Sequence, residues 1–235
     1  MNGIRKIRLV AVDCDGVLIN DTYLAVIERF VTRHGGRYDA RAERDIVGLR
    51  DVAVAERIGR LCGLDQPVPD VLAAIWAERE QYLREHPITV NDGVVDLLAS
   101  LRNLDVRVLC YGGRDRQHTF DRHLGHVVDL LDPEHPYVSI NEHRPGVARI
   151  VRDVIGCAFD EAVFIDDVSR VAEAAREHGS GFIGFPSSAA HRRQRRFMAE
   201  AGVRHIVGSL SEVTPHLLER VDGELATSSH WNTTT

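Results

Sequence analysis

The stretch Ile7-Arg-Leu-Val-Ala-Val-Asp13-Cys-Asp15-Gly16-Val17-Leu18 decides how the rest of the chain is read. Five of the six residues before Asp13 are apolar, two of them β-branched valines. That pattern predicts a strand buried on both faces, as in a parallel sheet. Two carboxylates, Asp13 and Asp15, end it with one residue between them, and Gly16 permits a sharp turn. Ligands of open α/β sheets bind outside the carboxyl ends of the strands, which is where these acids fall. Two acids so close repel, and a hard cation such as Mg²⁺ offsets their charge. One can serve as nucleophile and the other as general acid/base. The plain alternative is a solvated acidic turn after a core strand.

Moving outward, three more apolar runs read as strands. Val106–Tyr111 is followed by Gly112-Gly113-Arg114, Ala162–Ile165 by Asp166-Asp167, and Gly181–Phe185 by Pro186. A short strand is expected over 203–207, another within the irregular stretch 126–140, and a helix opening at Arg144-Pro145. Strands alternating with helices predict a doubly wound parallel α/β sheet. Residues 19–94 differ: four helical stretches are expected, the last starting after an Asp70 N-cap, with no convincing strand. The expected organisation is a core of 1–18 and 95–222, a helical domain over 19–94, and a polar, disordered tail over 223–235.

The bulk properties narrow the function. The 235 residues suffice for one large domain or a core with an insert, and the net charge of −6 argues against a general nucleic-acid binder. Four arginines within His191–Arg196 read as a solvated helix face on an acidic protein. No stretch approaches the length of a membrane span. The first residues lead into a strand and not a signal peptide, so a cytoplasmic location is expected. Cys14, Cys62, Cys110 and Cys157 form no C-x-x-C pair and read as reduced thiols.

Val12-Asp13-Cys14-Asp15-Gly16-Val17-Leu18 resembles the first motif of the haloacid dehalogenase-like hydrolase superfamily. The run from Phe164 to Gly179 resembles its fourth motif, and the helical insert after the first strand resembles the β-phosphoglucomutase-like branch. The resemblance implies Asp13 as nucleophile and Asp15 as acid/base. It implies Mg²⁺ held among Asp13, Asp15 and Asp167, with Asp166 beside them, and a cap closing over a small phosphorylated substrate. Gly112, Gly113 and Arg114 would bind that substrate, joined by Arg50 from the cap loop Gly48-Leu49-Arg50-Asp51. Two positions depart from the pattern. Gly112 stands where the second motif carries Ser or Thr, and Arg144 where the third carries Lys. Tyr111, Arg114 or Arg144 could complete the altered phosphate clamp. The expected function is a Mg²⁺-dependent phosphatase acting through a phosphoaspartate. The alternatives are a phosphomutase of the same family and a catalytically weakened binding module; Asp15 and the Asp166-Asp167 pair disfavour dehalogenation.

Overall fold

The computed structural model describes residues 3–186 and 192–232. Its centre is a six-stranded parallel sheet: β1 (Leu9–Asp13), β2 (Arg107–Gly112), β3 (Tyr137–Ser139), β4 (Ala162–Asp166), β5 (Gly181–Gly184) and β6 (His205–Ile206). The order is β3-β2-β1-β4-β5-β6, so the winding reverses at β1. A crevice opens at such a reversal, outside the carboxyl ends of the strands. Register sets what meets there. Val12 lies opposite Cys110 on one side and Ile165 on the other, which leaves Asp13 and Asp166 to end neighbouring strands together.

Alternation along β1 explains its uninterrupted apolar sequence. Val10, Val12 and Cys14 pack into the core on one face, Leu9 and Ala11 into that on the other. Helix α5 (Val94–Arg102) covers the first face. Helix α7 (Ser169–His178) covers the second through Val171, Ala172 and Ala175. Between them in sequence lies the single turn α6 (Arg122–Leu124), preceded by a wide π-type turn at Gln117–Asp121; a similar wide turn, Arg149–Ile155, forms the helix after Arg144. Helices α8 (Arg192–Glu200) and α9 (Pro215–Ala226) complete the core.

Four helices separate β1 from β2: α1 (Leu24–Arg33), α2 (Ala40–Ile46), α3 (Asp51–Cys62) and α4 (Val68–Glu85). Ile27, Phe30, Val54, Ile58, Val71 and Ile75 give them an apolar core of their own. The chain leaves and re-enters the sheet region side by side: Asn20 N–H donates to the Thr89 carbonyl and Asn91 N–H to that of Leu18, both at 3.0 Å. Where the insert meets the core the contact is polar. Glu43 of α2 is wholly buried and accepts from Arg193 Nη1 at 3.0 Å and Gln194 Nε2 at 2.8 Å. Gln194 in turn accepts the Ser169 N–H at 2.9 Å, and Arg170 donates to the carbonyls of Val47 and Arg44. Arg193 and Arg196, two of the expected solvated arginines, are ion-paired with Glu43 and Glu200.

Two expectations need correction. Helix α4 starts at Val68 with Pro67 as its cap, not after Asp70; Pro69 fits because the first turn leaves its N–H groups without helical partners. The tail expected to be disordered from 223 is ordered as far as the description extends. Helix α9 runs on to Ala226, and Trp231 stacks on Phe182, donates Nε1–H to the Ser180 carbonyl at 3.2 Å and bridges Val203. One large aromatic in a polar stretch suffices to anchor it. Residues 233–235 and the start of the helix expected at 189 lie outside the described residues. Among the described residues no helix is long and apolar enough to cross a membrane.

Candidate active site

The acids at the ends of β1 and β4 line a narrow inner cleft of about 60 Å³ with Tyr23, Trp76, Arg79, Arg114 and Arg144. It opens into a wider space of about 410 Å³ past Asp51, Ser139, Asn141 and His143. The inner volume suits a phosphoryl-sized group, and the outer one has room for what that group is attached to.

Asp13 is 5% exposed. Burial raises its pKa well above the usual carboxylate value, the negative charges of Asp166 and Asp167 raise it further, and Arg144 pulls it back. Asp166 is pushed up to about 7, first by burial and then by Asp167. Its two oxygens are both engaged: Oδ1 accepts the Val168 N–H at 2.6 Å, and Oδ2 accepts the Tyr111 hydroxyl in a short hydrogen bond. The Tyr111 hydroxyl therefore serves Asp166 and does not face the cleft as a clamp. Asp167 crowds Gly16, where a Cβ would lie 2.2 Å from its Oδ2. Gly16 also has φ +105°, so glycine is required there twice over.

Asp15 is oriented from the insert side. Its Oδ1 accepts the Thr22 N–H at 2.8 Å and its Oδ2 the Thr22 hydroxyl at 2.6 Å. Arg79 of α4, only 4% exposed, donates Nη2–H to the same hydroxyl at 2.7 Å and lies 4.0 Å from Asp15 Oδ2. A guanidinium can only donate, so the Thr22 hydroxyl proton is directed at Asp15. Burial raises the Asp15 pKa, and the Thr22 hydrogen bonds and Arg79 oppose the rise.

The donor set fits a hard cation. The charges of Asp166 and Asp167 raise the proton affinity of Asp13, and that of Asp167 raises the proton affinity of Asp166, so the site favours a positive charge. Among the described residues no three His, Cys, Asp or Glu side chains form a ready cage. Mg²⁺ suits that arrangement, because it commonly takes one or two carboxylates and completes its shell with water and substrate phosphate. Asp13 and Asp167 would hold it, with Asp15 and Asp166 beside them in the cleft lining.

The remaining predicted residues divide. Gly113, Arg114 and Arg144 line the inner cleft, and Gly112 ends β2 behind it. The Arg114 guanidinium carbon lies over the Trp76 ring, 4.1 Å from its centre. Arg50 does not join them. Its side chain is 57% exposed, 3.8 Å from Glu142, and lines a different groove. As the N-cap of α3 it turns outward, while the next residue, Asp51, faces the cleft beside Asn141. Sequence reasoning missed Thr22, Tyr23, Trp76, Arg79 and Asp51. A signal for two of them existed: Trp76 and Arg79 are three apart on one helix and so share a face.

Comparison with known proteins agrees with this geometry at the level of fold. No family model matches the chain, and no curated protein matches it significantly. Solved structures do. A haloacid dehalogenase (HAD) family IA, variant 3 hydrolase from Entamoeba histolytica superposes with a TM-score of 0.68 at 14% identity, covering 92% of this chain and all of its own. A conserved haloacid dehalogenase-like protein of unknown function from Agrobacterium tumefaciens gives 0.64 at 16%, covering 91% and 98%. A HAD family hydrolase from Deinococcus radiodurans, solved with bound phosphate and sodium, gives 0.58 at 19%, covering 93% and 97%.

Proposed function

Given that the chain is built on the haloacid dehalogenase-like fold, we propose that it is a Mg²⁺-dependent phosphatase that hydrolyses a small phosphate monoester through a phosphoaspartate. The observation that carries this reading is the pairing of Asp13 and Asp15 at one cleft with different surroundings. Asp13 is crowded by acids and countered by Arg144; Asp15 is held by Thr22 and Arg79.

In the proposed cycle an Asp13 oxygen attacks phosphorus in line, and the bond from phosphorus to the leaving oxygen breaks. Asp15 gives that oxygen its proton. Asp15 then takes a proton from a water molecule as its oxygen attacks phosphorus, releasing inorganic phosphate and restoring Asp13. The Arg144 guanidinium offsets charge on the non-bridging oxygens. Bound Mg²⁺ would add charge neutralisation between Asp13 and the phosphoryl group and keep Asp13 ionised despite its raised pKa. The helical insert acts as a cap, contributing Tyr23, Trp76 and Arg79 to the walls and excluding bulk water. The name attached to the Deinococcus structure, with phosphate bound, supports this chemistry by analogy of fold.

The test is phosphate release from a panel of sugar, nucleotide and small organic phosphates with Mg²⁺, wild type beside Asp13→Asn. Metal-dependent release from the wild type alone is the expected result. No release from any substrate, with no Mg²⁺ binding, would leave a non-catalytic module instead.

A further inference from the structure

Each of the two departures from the family pattern has a close contact beside it. The guanidinium of Arg144 lies directly on the backbone of Gly113: a Cβ there would sit 2.0 Å from Nη2 and 2.9 Å from Cζ. At Gly112 a Cβ would sit 2.9 Å from the Tyr137 hydroxyl and 3.2 Å from Cys14 Cβ. Neither glycine has a positive φ, so backbone conformation does not call for glycine at either place. Close approach does. Tyr137 is held where it is by donating its hydroxyl to the Arg114 carbonyl at 2.6 Å. The Arg144 Nε is buried without a hydrogen-bond partner.

We infer that Gly113 is a positioning residue that makes room for a planar guanidinium clamp at Arg144, while Tyr137 excludes a hydroxyl-bearing side chain at 112, so that the guanidinium replaces the hydroxyl-plus-ammonium clamp of the family pattern. The inference rests on the phosphatase reading only for the identity of the anion, a phosphate. A guanidinium offers fixed, coplanar donors to two oxygens of one phosphate, which a point-charge ammonium cannot. Here the guanidinium rests against Gly113, where a side chain would intrude. A hydroxyl-bearing residue at 112 is blocked by Tyr137.

A double-mutant cycle tests the coupling. Binding of inorganic phosphate in the presence of Mg²⁺ is measured by calorimetry for wild type, Gly113→Ala, Arg144→Lys and the double variant, alongside thermal stability. Because the alanine methyl meets the end of a flexible side chain, Gly113→Ala should leave the melting temperature nearly unchanged. It should weaken phosphate binding about tenfold or more by displacing the guanidinium. In the Arg144→Lys background, where the head group is thin, the same alanine should cost less than about twofold. A second pair probes Tyr137: Gly112→Ser alone should weaken phosphate binding, and adding Tyr137→Phe should recover it. Penalties that simply add in both cycles would overturn the inference, as would a wild type that binds no phosphate. A wild type that binds phosphate and shows the coupling, yet releases none from any ester, would overturn the phosphatase reading alone.

Discussion

The carboxyl edge of the sheet and the inner face of the helical insert both line the cleft, yet they obey different rules. At the sheet edge, register dictates position. Once β1 pairs with β4, Asp13 and Asp166 must end neighbouring strands. On the insert, position depends on how each helix is rotated against the core, and one residue of difference exchanges a cation for an anion. Arg50 faces solvent and Asp51 faces the cleft. Chemistry carried on strand ends can be read from a short motif. Chemistry carried on helix faces needs the packing to be known.

The largest expected effect sharpens the sheet side. Asp13→Asn should lower phosphate release by about 10⁴-fold or more while leaving the fold intact, measured as kcat with Mg²⁺ present. The next probes the insert. Arg79→Met should lower kcat/KM by about 10- to 100-fold through loss of the directed Thr22 hydroxyl, whereas Arg50→Met should change it less than about threefold. Equal losses would break the contrast drawn between these two arginines.

A third prediction concerns pH. Asp166 has a folded-state pKa of about 7 against an ordinary value of 3.8, and Asp13 is raised as well. Groups raised in the folded state bind more protons there than when unfolded. Their contribution to stability is therefore fully present at the acid end and is lost as pH rises. Without Mg²⁺, denaturation midpoints should fall between about pH 4 and pH 7 from this source. Asp166→Asn should flatten that decline, and Mg²⁺ should reverse part of it. The smallest effect tests the docking of insert on core. Glu43→Ala leaves the buried Gln194 amide without its acceptor and should cost about 1–3 kcal/mol in urea denaturation.

Much of the fold was legible because buried parallel strands advertise themselves as unbroken apolar runs. Leu9–Asp13, Arg107–Gly112 and Ala162–Asp166 follow such runs closely. The three-residue β3 and two-residue β6 are short enough that neighbours, and not composition, define them. The average composition of the polar segment around Trp231 hides its anchor, because a single indole holds it to the sheet. At the site, Asp13, Asp15, Asp166 and Asp167 were legible from strand-end position. The burial of Arg79 was not, since an arginine in a charged helix looks solvated until its partner, Thr22, is placed 57 residues away.

The crowding of Asp13, Asp166 and Asp167 has a consequence for the protein's lifetime. Mutually repelling acids held in a buried cleft weaken the folded chain at neutral pH, so the site sits at the expense of stability. A cation or phosphate that binds only the folded form restores what the acids remove, in proportion to its concentration over its dissociation constant. Proteases and chaperones act on the unfolded fraction. On the proposed reading, in which the cleft takes Mg²⁺, the abundance of this protein in a cell would follow the supply of that ion.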